Sequence, residues 1–96
     1  MNLTWSPSAA TDLEAIRDYI AADSPRYADL VVRRILHAVE RLSDFPESGR
    51  AVPERTDETL REVVVSPFRV VYRLREQTVE IVTVFRAARM FREAPE

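Results

Sequence analysis

Asn2 to Trp5 alternates polar and apolar residues, the period of a strand with one buried face. Ser6-Pro7 follows, a side-chain oxygen able to cap a helix ahead of a proline suited to its first turn. From there Ala9, Leu13, Ile16 and Ile20 recur at helical spacing, which leaves Asp12, Glu14 and Asp18 facing outward. Asp23-Ser24-Pro25 ends this helix and caps the next, and so short a connection makes the pair an antiparallel hairpin. The second helix is expected from about Arg26 to Asp44. Ala28, Val32, Ile35, Val39 and Leu42 form its buried stripe, widened by Val31 and Leu36. Pro46 stops it, because the residue before a proline is disfavoured in helical conformation.

Residues 45–59 then read as a loop holding two prolines and the single glycine, Gly49. After it the apolar period shortens to that of strands. Leu60 to Val65 and Phe68 to Arg75 are joined at Ser66-Pro67, and a third strand starts at Thr78 after a turn at Glu76-Gln77. In the middle strand Phe68, Val70, Tyr72 and Leu74 face one side and Arg69, Val71, Arg73 and Arg75 the other. Strict alternation in the last strand puts Val79, Ile81, Thr83 and Phe85 on one face, and Glu80, Val82, Val84 and Arg86 on the other. Both faces therefore carry apolar residues, yet the hairpin covers only one, whereas a sheet with one wet face alternates cleanly. Either a loop or the C-terminal Ala87–Glu93 stretch folds over the second face, or a partner chain does. The pattern is that of an α+β chain: an N-terminal strand and helical hairpin on a mostly antiparallel sheet of three to four strands. One domain over 1–96 is expected, with strand 2–5, hairpin 7–44, loop 45–59, sheet 60–86 and tail 87–96.

Composition sharpens this picture at a few points. There is no cysteine, hence no disulfide framework and no thiolate zinc site, and one histidine with scattered carboxylates has no ligand spacing. A single glycine excludes a glycine-rich phosphate loop. No apolar run is long enough for a bilayer and the N-terminus does not read as a secretory signal, so a cytoplasmic location is expected, with no cofactor and no metal. The net charge of −2 hides an uneven distribution: residues 1–58 hold 11 acids and 7 arginines, while residues 59–92 hold 3 acids and 7 arginines. All 14 basic residues are arginine, so every cation is an always-charged planar fork. The C-terminal half thus suits an acidic partner better than general nucleic-acid coating.

Several stretches together resemble the RelE/ParE superfamily, toxins of bacterial type II toxin–antitoxin pairs. They are Trp5-Ser6-Pro7, Ala9, Asp12-Leu13, Ile16 and Tyr19-Ile20-Ala21 near the start, then Phe45-Pro46, Gly49-Arg50 and Pro53-Glu54 in the loop. Arg61-Glu62, the run Ser66 to Arg73, Val82, Val84 and Ala88-Arg89 complete the set, in an order and spacing most like ParE, the plasmid stabilisation type. The resemblance implies a small antitoxin, ParD-like or similar, whose C-terminal segment wraps the toxin in a hetero-oligomer. Such a partner would cover Val82 and Val84 and bring carboxylates to the arginines. It also implies one of two activities, since ParE-like toxins inhibit DNA gyrase whereas RelE-like toxins cut mRNA on the ribosome.

The residues bear on that choice. Cutting a phosphodiester needs groups that take and give protons near working pH. His37, the one histidine, falls on the polar side of the second helix, and Arg86 stands where family members often have a histidine. Arginine stabilises charge but is a poor base. Glu54, Glu62 and Tyr72 are the remaining acid–base candidates; Glu54 reads as a loop residue, Glu62 as a pair for a neighbouring arginine, and Tyr72 as core. Arginines without an evident base fit binding better than cleavage. The expected function is a gyrase-binding toxin neutralised by its antitoxin, with the RelE-like endonuclease as the alternative. No membrane contact and no strong direct nucleic-acid binding are expected. The expected partner-binding residues are Arg61, Arg69, Arg73, Arg86, Arg89, Val82 and Val84, with Arg75 at the margin of the set.

Overall fold

Ser6 and Ser24 open the two helices. Ser6 Oγ accepts the Ala9 N–H at 3.0 Å and Ser24 Oγ accepts the Tyr27 N–H at 3.2 Å, each satisfying a donor that a helix start leaves free. A computed structural model describes residues 1–89 and Phe91. It has strand β1 (Asn2–Trp5), helices α1 (Pro7–Ala21) and α2 (Pro25–Asp44), and strands β2 (Arg50–Ala51), β3 (Leu60–Val65), β4 (Phe68–Arg75) and β5 (Thr78–Arg86). The sheet runs β1-β5-β4-β3-β2, with β1 parallel to β5 and every other pair antiparallel. The α+β architecture is the expected one, with β2 as an additional two-residue edge strand from the loop. Of the expected tail 87–96, residue 90 and residues 92–96 lie outside the described residues.

One face of the sheet packs on the hairpin. Ile35, Val39 and Leu42 of α2 and Ala9 of α1 meet Val70, Tyr72, Val79 and Ile81, each at 0–1% exposure. Three helical positions depart from the sequence pattern, and Val32, expected in the buried stripe, is half-buried. Leu36 is 37% exposed rather than core, because the buried stripe stays on the Ala28–Val31–Ile35–Val39–Leu42 line. Asp12 is half-buried against β5 rather than outward, for a reason that lies in that strand.

β5 is not a regular strand. Val71 pairs with Thr83 and Tyr72 with Ile81, so Val82 is an extra residue with no partner in β4. Such a bulge resets the alternation beyond it. Val84, expected on the face away from the helices, is therefore 2% exposed in the helix-side core, and Phe85 turns to the opposite face. Asp12 braces the irregularity: its Oδ2 accepts the Thr83 hydroxyl at 2.6 Å and the Val84 N–H at 3.1 Å. Ser6 adds a hydroxyl bond of 2.9 Å to the Val82 carbonyl.

The second face of the sheet is covered in part by the chain itself. Val52 from the loop and Phe91 from the C-terminal segment pack on Leu60 and Val71, with half-buried Val82 and Phe85 against them. Val82 and Val84 thus lie in two clusters on opposite sides of the sheet.

Candidate partner-binding site

The arginines expected to bind a partner sit in three different environments. Arg69, on the face away from the helices, is 5% exposed and uses all five guanidinium donors inside the molecule. Its Nε reaches Glu62 Oε1 at 2.8 Å, and Nη2 divides between Glu62 Oε1 at 2.6 Å and Glu54 Oε1 at 2.7 Å. Its Nη1 divides between Glu54 Oε2 and the Arg89 carbonyl, each at 2.8 Å. The Phe85 ring lies 4.8 Å from the guanidinium carbon. Glu62, fully buried, is held from its other side by Arg50 at 2.7 Å. Burial of ions is tolerable when each is paired and hydrogen-bonded, and here each is.

The electrostatics follow. The hydrogen bonds from Arg69, then the Phe91 N–H at 2.9 Å, hold the Glu54 carboxyl down from 4.5 to about 2. The same bonds raise the Arg69 guanidinium still higher, those from Glu54 first. Arg69 is therefore a structural hub, not an exposed arm; a strand arginine becomes buried when the loop and C-terminal segment supply its counter-charges.

Arg61 and Arg73 stand at the other end of β3 and β4. Arg61 is half-buried and donates to the Gly49 carbonyl at 2.9 Å and the Glu47 carbonyl at 3.2 Å, fastening the loop. Arg73 approaches Asp57 at 3.5 Å. The hydroxyl of Tyr72, opposite Arg61, donates to the Pro46 carbonyl at 2.7 Å and accepts the Gly49 N–H at 2.9 Å. Burial raises the pKa of that phenol. His37 is exposed on α2.

Arg86 and Arg89 are the exposed members, and they meet at a groove. This open groove of ≈ 1010 Å³ runs between α1 and the end of β5. Its floor is largely apolar, from Ala15, Ile16 and Ile20 of α1 with Phe68, Val84 and Phe85 of the sheet, and it also holds the hydrogen-bonded pair Asp12 and Thr83. Tyr19 stands at its rim, 76% exposed, and Arg86 and Arg89 line it as well. The Arg86 guanidinium carbon sits 6.0 Å from the Phe68 ring centroid. Apolar floor, exposed aromatic and two cations give the chemistry of a protein-docking groove. Three of the seven expected residues, Val84, Arg86 and Arg89, come together there; Arg61, Arg69, Arg73 and Val82 do not. Tyr19, Ile16 and Ile20 were not expected at this site. The signal for Tyr19 was an aromatic on an otherwise polar helical position.

A helical hairpin on a mixed sheet, with an open groove beside its first helix, defines a small α+β module. The profile described as ParE toxin of type II toxin-antitoxin system, parDE, matches residues 3–91. The chain belongs to this ParE toxin family, within the RelE/ParE superfamily. It is 39% identical over 89 residues to Toxin RelE2 of Caulobacter vibrioides, covering 92% of this chain and 97% of that protein. It is 40% identical over 87 residues to Putative toxin Y4kP of Sinorhizobium fredii, covering 88% and 86% of the two chains. Among solved structures, it matches one titled Chromosomal ParDE TA system from P. aeruginosa with a TM-score of 0.75. That match has 28% identity and covers 90% of this chain and 95% of the other. The protein is a toxin of a type II toxin–antitoxin system.

Proposed function

We propose that this toxin arrests growth by binding DNA gyrase rather than by cutting mRNA, and that its antitoxin silences it by seating in the groove beside α1. The observation that carries the first half is that the candidate proton carriers are committed within the fold. A ribonuclease needs a base beside the reacting phosphate, which the exposed cations Arg86 and Arg89 do not supply. The arginine at the centre of the sheet has all five donors committed to Glu54, Glu62 and the Arg89 carbonyl. Tyr72 is equally engaged, with its hydroxyl tied into the loop. The second half rests on Arg86 and Arg89 beside an apolar floor, which suits an amphipathic, acidic antitoxin segment.

Purified toxin is expected to block supercoiling by gyrase, to lose that effect when antitoxin is added, and to leave ribosome-bound mRNA intact. Specific mRNA cleavage that disappears in Arg69→Ala or Tyr72→Phe, with the folded state retained, would replace this reading by the RelE-like endonuclease. Harmless expression without antitoxin would instead point to an adaptor with no toxic action.

A further inference from the structure

The two groove arginines are flexible side chains with no ion-pair partner among the described residues. Their backbone, however, is tied at three points. The Ala87 N–H donates to the Pro67 carbonyl at 2.8 Å, the Arg89 carbonyl accepts from Arg69 at 2.8 Å, and the Phe91 N–H donates to Glu54 at 2.9 Å. Phe91 itself is 3% exposed, stacks on Phe85 with centroids 6.2 Å apart, and lies under the Arg55 guanidinium at 5.0 Å. Arg86, the last residue of β5, is held by its pairing with Phe68, and the chain beyond it passes round the end of the sheet: Arg89 joins Arg86 at the groove, and Phe91 is buried on the other side.

We propose that Glu54 and Phe91 are positioning residues of the groove: from the opposite face of the sheet they clamp the backbone at Arg89, so that Arg89 stands at the groove beside Arg86, where the two hold an acidic segment of the antitoxin. This rests on the reading of the groove as the antitoxin site. Neither Glu54 nor Phe91 lines the groove; Phe85, on which Phe91 stacks, does, so the arginine-free background below separates an effect through the clamped backbone from one through that ring. A long cation that is already oriented loses less freedom on pairing than one on a loose chain. The antitoxin therefore depends on residues remote from its contact surface.

The test is calorimetric titration of the full-length toxin with its antitoxin. Phe91→Ala and, separately, Glu54→Gln are each expected to weaken binding about tenfold, the scale of one lost charge-assisted contact. Phe91→Tyr, which keeps the stacked ring, is expected to restore most of the affinity. In an Arg86→Ala/Arg89→Ala background the Phe91→Ala effect should shrink below about twofold, because the clamp then has nothing to position. A merely structural role would leave the Phe91→Ala effect undiminished in that background, which overturns the clamp. An unchanged affinity in both single variants overturns it equally. If Arg86→Ala/Arg89→Ala binds as the parent does, the groove reading itself fails and the clamp falls with it. Should either variant melt early, titration at a temperature well below its transition carries the same comparison.

Discussion

Removing Arg69 should damage the fold, although the strand pattern alone would class it as a surface arginine. In Arg69→Ala, Glu62 keeps Arg50, and Glu54 keeps only the Phe91 N–H. Their side chains are 0% and 14% exposed, so the carboxylates stay largely away from water with their central cation gone. Breaking a buried pair by deleting one partner costs about 3–5 kcal/mol. That is a large fraction of the roughly 5–15 kcal/mol by which a domain is stable. At about 4–8 °C per kcal/mol for a chain of this size, Tm should drop by at least about 12 °C. Urea unfolding followed by circular dichroism gives the free energy directly, and a parallel melt gives the shift. Arg69→Lys should recover only part of the loss, because an ammonium cannot replace a fork that makes five hydrogen bonds to four acceptor atoms. A loss for Arg69→Ala under about 1 kcal/mol, the value of an exposed pair, would refute the buried network.

Other expectations follow from single contacts. A Cβ on Gly49 would lie 2.7 Å from Tyr72 Cε1 and 2.8 Å from the Glu62 carbonyl, so Gly49→Ala should lower stability by about 1–3 kcal/mol in urea titration. Glu54 has a folded pKa of about 2 against 4.5 for the free group. Its contribution is therefore complete above about pH 4.5 and is lost as pH falls toward 2. Melts across that window should show the parent weakening with acid, and Glu54→Gln, weaker at neutral pH, should lack that part of the slope. Glu76 and Gln77 have φ of 49° and 63° in the turn between β4 and β5, a conformation side chains such as theirs rarely adopt. Glu76→Asn with Gln77→Gly should raise stability by about 1 kcal/mol; an unchanged or lowered midpoint would mean that the turn carries no such cost.

What the chain's order of residues determined by itself was local. Helix caps at Ser6 and Ser24, the proline stop after α2, the strand limits of β3 and β4 and the turn at Glu76-Gln77 all depend on near neighbours, and each was legible. So was the class of the protein, because the ordered pieces from Trp5-Ser6-Pro7 to Ala88-Arg89 carry the family pattern. The faces of β5 were not legible beyond Val82. Alternation extrapolates one residue at a time, and an extra residue opposite Val71 and Tyr72 reverses everything after it without leaving a mark in the hydrophobic pattern. Asp12 reads as an outward charge until the bulge presents it with a hydroxyl and a free N–H. Arg69 reads as one more strand arginine until Glu54, 15 residues away, and the Arg89 carbonyl, 20 residues away, close round it. Whether a charge is surface or core depends on partners that only the tertiary fold brings within hydrogen-bonding distance. For that reason the sequence could not tell the strand arginines apart, and the packed structure buries Arg69 among its partners while Arg86 and Arg89 face the groove.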